Sequence, residues 1–124
     1  MSGLRPVLLV EDNELNRDML IRRLKRAGIE VISAGDGAEA LRLMAEAQPS
    51  VVLMDMNLPI MDGWTAVRTA RADSELRDIP IIALTAHAME ADRQSALKAG
   101  CDDYATKPID FPGLLAKIEK LARP

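Results

Sequence analysis

Three short apolar runs in this chain each lead into a group that can do chemistry, and this placement limits the fold more than any other feature. Val7-Leu8-Leu9-Val10 leads into Glu11 and Asp12, Val51-Val52-Leu53-Met54 into Asp55, and Ile81-Ile82-Ala83-Leu84 into Thr85. A fourth segment, Asp103-Tyr104-Ala105-Thr106, leads into Lys107-Pro108. Short continuous apolar runs separated by helix-length stretches are the pattern of parallel strands buried on both faces. In an open parallel sheet the functional groups gather beyond the carboxyl ends of the strands. Three carboxylates, a hydroxyl and an ammonium are therefore expected along one edge of one sheet. Charges set against a core need partners, so the cluster reads as a site.

The rest of the chain supplies the helices. The expected order is a strand at Val7 to Val10, a helix from Glu14 to Ala27 capped by Asn13 and stopped by Gly28, and a strand from Ile29 to Ser33. A helix from Gly37 to Ala47, closed by Pro49, follows, then the strand Val51 to Met54 and the loop Met56 to Asp62. A third helix starts near Gly63, the fourth strand is Ile81 to Leu84, and a helix from Glu90 to Ala99 ends at Gly100. The fifth strand is Asp103 to Ala105. The last helix, Phe111 to Leu121, has Leu114, Ile118 and Leu121 inward and Lys117 and Lys120 outward. Such alternation gives an α/β, doubly wound (βα)5 fold with helices on both faces of a five-stranded parallel sheet.

Composition narrows the function. A length of 124 residues suits one domain over residues 1–124 with no output domain. The net charge of −3 argues against nucleic acid as a main partner. The lone Cys101 excludes an internal disulfide and fits a reducing compartment, and it reads as a small packing residue. No apolar stretch reaches the ~20 residues that span a bilayer, and no signal-peptide core is present, so a cytoplasmic location is expected. The basic residues of the first helix (Arg17, Arg22, Arg23, Lys25 and Arg26) read as a solvated face or as a docking face for an acidic phosphodonor.

The site itself suggests phosphoryl chemistry. Glu11, Asp12 and Asp55 are hard oxygen ligands whose mutual repulsion a divalent cation relieves, and Mg2+ suits a site with few carboxylates. Their three negative charges balance those of Mg2+ and Lys107. Asp55, at the end of a central apolar strand, can attack a phosphoryl group to form an acyl phosphate. Mg2+, Lys107 and the Thr85 hydroxyl can then each meet a phosphoryl oxygen.

These residues carry a resemblance. Val10-Glu11-Asp12-Asn13, Met54-Asp55-Met56-Asn57-Leu58-Pro59-Ile60-Met61-Asp62-Gly63, Leu84-Thr85-Ala86 and Tyr104-Ala105-Thr106-Lys107-Pro108 are together similar to two-component response-regulator receiver domains of the CheY-like superfamily. The similarity covers essentially the whole chain. Asn13-Glu14-Leu15-Asn16 further resembles hybrid-kinase and DivK-type receivers.

The resemblance implies a flavodoxin-like strand order 2-1-3-4-5, Asp55 as phosphoacceptor, and Mg2+ held by Glu11, Asp12, Asp55 and the Asn57 main-chain carbonyl. It makes Thr85 and Lys107 phosphoryl-sensing, Tyr104 an aromatic switch, Lys107-Pro108 a cis bond, and Asn57 and His87 tuners of acyl-phosphate hydrolysis. The implied partners are a histidine kinase or histidine phosphotransfer protein, and a protein target on the face formed by the fourth helix, fifth strand and fifth helix. Output is phosphorylation-dependent binding or onward relay. The protein would be a signalling domain rather than an enzyme, assisting its own phosphorylation and dephosphorylation.

The rivals fit less well. A flavodoxin-like redox protein needs a phosphate loop after the first strand, where Glu11-Asp12-Asn13-Glu14 repels phosphate. An aspartyl phosphohydrolase needs a second acid two residues past Asp55, where Asn57 stands. A calcium loop starting at Asp55 fails because Ile60 occupies the glycine position and Pro59 stiffens the turn.

Overall fold

Strands and helices alternate along the chain in the computed structural model, which describes residues 5–58, 60–86 and 90–123. The elements are β1 (Val7–Val10), α1 (Glu14–Arg26), β2 (Val31–Ala34), α2 (Gly37–Ala47), β3 (Val51–Asp55), α3 (Gly63–Ala72), β4 (Ile81–Thr85), α4 (Glu90–Ala99), β5 (Asp103–Thr106) and α5 (Phe111–Leu121). All paired strands are parallel, in the order β2-β1-β3-β4-β5. The expected fold class and strand order are both present.

Alternation along the buried strands divides the core into two layers. Leu8, Val10, Val52, Met54, Ile81 and Ala83 pack with residues of α2, α3 and α4, while Val7, Leu9, Val51, Leu53, Ile82 and Leu84 pack with α1 and α5. Successive strand residues face opposite sides, and here both sides are covered. That is why β1, β3 and β4 read as unbroken apolar runs. Cys101 lies in the first layer, and burial pushes its thiol up to about 12.

The starts of α1, α2 and α3 each use a side-chain acceptor. Asn13 Oδ1 accepts from Asn16 N–H at 2.9 Å, as expected, and Asp36 and Asp62 do the same for Glu39 and Thr65 at 2.8 Å each. The Thr65 N–H holds the Asp62 carboxyl below its usual range.

The second strand differs from its expected bounds: it starts at Val31, not Ile29. Ile29 belongs to the end of α1, where its N–H reaches Leu24 O at 3.0 Å and Gly28 N–H reaches Lys25 O at 2.9 Å. Gly28 has φ 82, the left-handed turn that this closure needs, and Ile29 and Leu24 share one apolar cluster. At the other edge, β3, β4 and β5 each run one residue beyond expectation, to Asp55, Thr85 and Thr106. The ladder continues because Met56 N–H donates to Leu84 O at 3.1 Å and Lys107 N–H to Thr85 O at 2.7 Å.

Arg71, at the end of α3, fastens the opposite edge of the sheet. Its guanidinium donates to the carbonyls of Gly100, Arg77 and Ile79 at 2.7 to 2.8 Å and to Asp102 Oδ2 at 2.9 Å. Asp102 Oδ2 also accepts Ile81 N–H at 2.8 Å, which ties the start of β4 to the turn before β5. A lysine offers one point charge in place of this fork. Arg71→Lys should therefore destabilise the fold by about 2–3 kcal/mol, read from urea unfolding. An unchanged midpoint would show that the fork contributes nothing.

Candidate functional site

The strand order reverses direction between β1 and β3, and a crevice forms at such a point beyond the carboxyl ends of the strands. Glu11 and Asp12 follow β1, Asp55 ends β3, Thr85 ends β4 and Lys107 follows β5. All five therefore lie along one edge of the sheet, as their sequence positions predict.

The contacts among them are close. Lys107 Nζ lies 3.1 Å from Asp55 Oδ2 and 3.7 Å from Glu11 Oε1. Asp55 Oδ1 accepts the Asn57 N–H at 3.0 Å. Glu11 and Asp55 are only 5% and 3% exposed, whereas Asp12 is open to solvent. Carboxylate oxygens of Glu11, Asp12 and Asp55 all lie within 4.8 Å of one another. Burial, and then the neighbouring Asp55, push Glu11 up to about 7, while Lys107 and Asn16 pull it the other way. Glu11 Oε2 is buried with no hydrogen-bond partner. A hard divalent cation fits this donor set: it would occupy the orphaned oxygen and relieve the crowding of three carboxylates.

The surrounding backbone holds the site in place. Glu11 N–H donates to Ala34 O at 3.0 Å, and its carbonyl accepts Arg17 Nη1 at 3.1 Å. A Cβ on Gly63 would come within 2.6 Å of Asp55 O and Met56 Cα, so only glycine lets α3 start directly against the backbone of Asp55. In the loop between them, Ile60 adopts φ 65 and is 88% exposed, an uncommon conformation for a β-branched residue.

Thr85 is buried at 6% exposure, one residue past Leu84, the partner of Asp55 in the ladder. Tyr104 is half-buried and pairs with Ala83. The Lys107-Pro108 bond is cis. Trp64 is half-buried and packs on the first core layer, as do Leu58 and Met61. His87 lies outside the described residues, as does Pro59.

Two findings go beyond the sequence reading. A cavity of about 340 Å3 beside Glu11 is lined by apolar residues that include Leu9, Met19, Leu20 and Leu84, with Glu11, Asn16, Arg23 and Lys107 as polar groups. Lys117, expected to point outward, instead donates to Tyr104 O at 2.7 Å and Asp103 Oδ1 at 3.1 Å. Its outward reading came from helical spacing alone, which does not show that a carboxylate and a strand carbonyl lie within reach.

Residues 7–119 match the model of the response regulator receiver domain. The chain belongs to that family. Among its relatives is the polar-differentiation response regulator DivK of Brucella anthropi, 39% identical over 115 residues that cover 93% of this chain and 94% of that protein. The receiver domain of a sensor histidine kinase from Pseudomonas aeruginosa PAO1, solved with a magnesium ion coordinated in its active-site cleft, superposes with a TM-score of 0.87. It is 37% identical and covers 96% of this chain and 98% of its own. The receiver domain of Saccharomyces cerevisiae Ssk1, crystallised with the histidine phosphotransfer protein Ypd1, gives a TM-score of 0.86 at 30% identity, covering 98% and 92%. The chain is thus a receiver of two-component signalling, and no described helix is long and apolar enough to cross a membrane.

The raised Glu11 has a measurable consequence. A carboxyl whose pKa rises on folding favours the folded state fully below its unfolded value of 4.5, and that contribution is lost as the pH rises through about 7. In metal-free buffer at alkaline pH, Glu11→Gln should therefore be more stable than wild type by about 1–2 kcal/mol. The advantage should shrink on acidification, and saturating Mg2+ should stabilise wild type more than the variant. Chemical unfolding with chelator and with Mg2+ checks both signs. An equal response to Mg2+ would remove Glu11 from the metal site.

Proposed function

We propose that this receiver takes a phosphoryl group from a phosphohistidine of a kinase or histidine phosphotransfer protein onto the Asp55 carboxylate. The P–N bond to the donor imidazole breaks as the P–O bond to Asp55 forms. The observation that carries this reading is the arrangement of Asp55: a buried carboxylate held by Asn57 N–H and Lys107 Nζ, with two further carboxylates beside it.

Glu11, Asp12, Asp55 and the Asn57 main-chain carbonyl are assigned as the Mg2+ ligands; the bound ion supplies charge neutralisation for phosphoryl oxygens. Lys107 keeps its ammonium beside Asp55, where it can meet a second oxygen, and the Thr85 hydroxyl is assigned to a third. Asn57 and His87, each two residues past a site residue, are assigned to tuning hydrolysis of the acyl phosphate.

The donor is placed against α1. Leu15 and Met19 are 75% and 60% exposed there, and Met19 lines the cavity beside Glu11 and Lys107. Arg22, Lys25 and Arg26 add exposed positive charge on the same helix. Output runs either through a protein target on α4, β5 and α5 or by passing the phosphoryl group onward. In the first case Thr85 and Tyr104 couple the site to that surface. The domain acts in signalling and not as a turnover enzyme.

Two experiments test this. Asp55→Asn should abolish labelling from a phosphorylated donor or from acetyl phosphate with Mg2+, and the wild-type label should be lost in alkali. Undiminished labelling of the variant would move the acceptor elsewhere. Thr85→Ala should still be labelled yet lose most of the phosphorylation-dependent gain in target affinity. An unchanged gain would exclude the Thr85 and Tyr104 route and leave relay as the output.

A further inference from the structure

Tyr104 is the only tyrosine of the chain, and two cations from different helices reach its ring. The guanidinium carbon of Arg93, on α4, lies 5.7 Å from the ring centroid, and Lys117 Nζ, on α5, lies 5.6 Å from it. Both fall within the ~6 Å range of cation–π attraction. Lys117 is fixed in that place by two acceptors of β5. It donates to Tyr104 O at 2.7 Å and to Asp103 Oδ1 at 3.1 Å, and Asp103 Oδ1 in turn accepts Tyr104 N–H at 2.8 Å. The ammonium therefore stands beside the ring because the strand's own polar groups put it there. Arg93 comes from the other layer of the fold, since α4 packs with Tyr104 on the first core cluster and α5 on the second.

We propose that Arg93 and Lys117 form a clamp that sets the resting position of the Tyr104 ring, with Arg93 as its adjustable half. This rests on the reading that Tyr104 moves when Asp55 is phosphorylated. A ring that moves away from two cations loses their attraction, so the clamp biases the unphosphorylated protein toward the position seen here. Lys117 also holds Asp103 and the β5 backbone, so changing it disturbs more than the ring. Arg93 is an exposed helix residue, and its replacement leaves the Lys117 contacts to β5 in place. Both are positioning residues, acting on output through Tyr104 without touching the phosphoryl group.

A clamp of this kind makes phosphorylation and ring position reciprocal. Whatever favours the displaced ring also favours the phosphorylated state by the same factor. One lost cation–π contact corresponds to about a two- to fivefold change in that ratio.

Because the chain has a single tyrosine, labelling with 3-fluorotyrosine gives one fluorine resonance for Tyr104. For wild type, Arg93→Ala and Arg93→Lys, the resonance is recorded without phosphate and after saturation with acetyl phosphate and Mg2+. Each variant is read against its own two end points, which removes the direct effect of the lost charge on the shift. Arg93→Ala at rest should lie part of the way toward its phosphorylated position, by a two- to fivefold population shift, and Arg93→Lys should stay close to wild type. A resting Arg93→Ala signal no further displaced than wild type would overturn the clamp while leaving the Thr85 and Tyr104 coupling intact. A wild-type resonance that does not move on phosphorylation would overturn that coupling and the clamp with it.

Discussion

Lys107 reaches from the end of β5, past β4, to the carboxylate at the end of β3. Its ammonium is the described cation within 4 Å of both Asp55 and Glu11. Three strand ends therefore meet through one side chain. Two nearly buried carboxylates next to a third acid would repel one another and lose hydration, and an opposite charge at close range is what makes such a grouping tolerable. Even with Lys107 in place the balance is incomplete, as the raised Glu11 and its orphaned oxygen show. The site is thus poised to gain stability from a hard cation.

The sheet supplies the rigidity that this arrangement needs. β1, β3 and β4 are buried on both faces, so their ends cannot shift without disturbing two core layers. The loops carry the adaptable parts. α3 starts against the backbone of Asp55 only because residue 63 is glycine, and Ile60 takes up the strain of the tight connection. Packing holds Asp55 still, and the groups around it differ in how freely they can respond.

Much of this was legible in the sequence because the signals were local or repeated. Apolar runs ending on Glu11, Asp55 and Thr85 revealed both the parallel sheet and the edge where chemistry gathers, and Asn13 and Gly28 marked the ends of the first helix. The start of the second strand was misplaced because Ile29 is apolar for a different reason: it closes α1 against Leu24. Arg71 gave no signal, since four acceptors from two separate segments come together only after folding. The same holds for Lys117, whose helical position looks solvent-facing until β5 is placed beside it. Local pattern carries strands, caps and the placement of strand-end residues; contacts between distant segments require the three-dimensional arrangement.

The Arg71 fork gives the β4–β5 half of the sheet the mechanics of a beam held at one end. At the lower edge, Ile81 and Asp102 are tied to each other and to α3 through a single guanidinium. At the upper edge, Thr85 and Lys107 sit where the strands run out into loops. Displacement in such a beam is greatest at its free end and dies away toward the fixed one. Lys107, at the end of the half-buried β5, therefore has more room to shift than Asp102, which the fork holds.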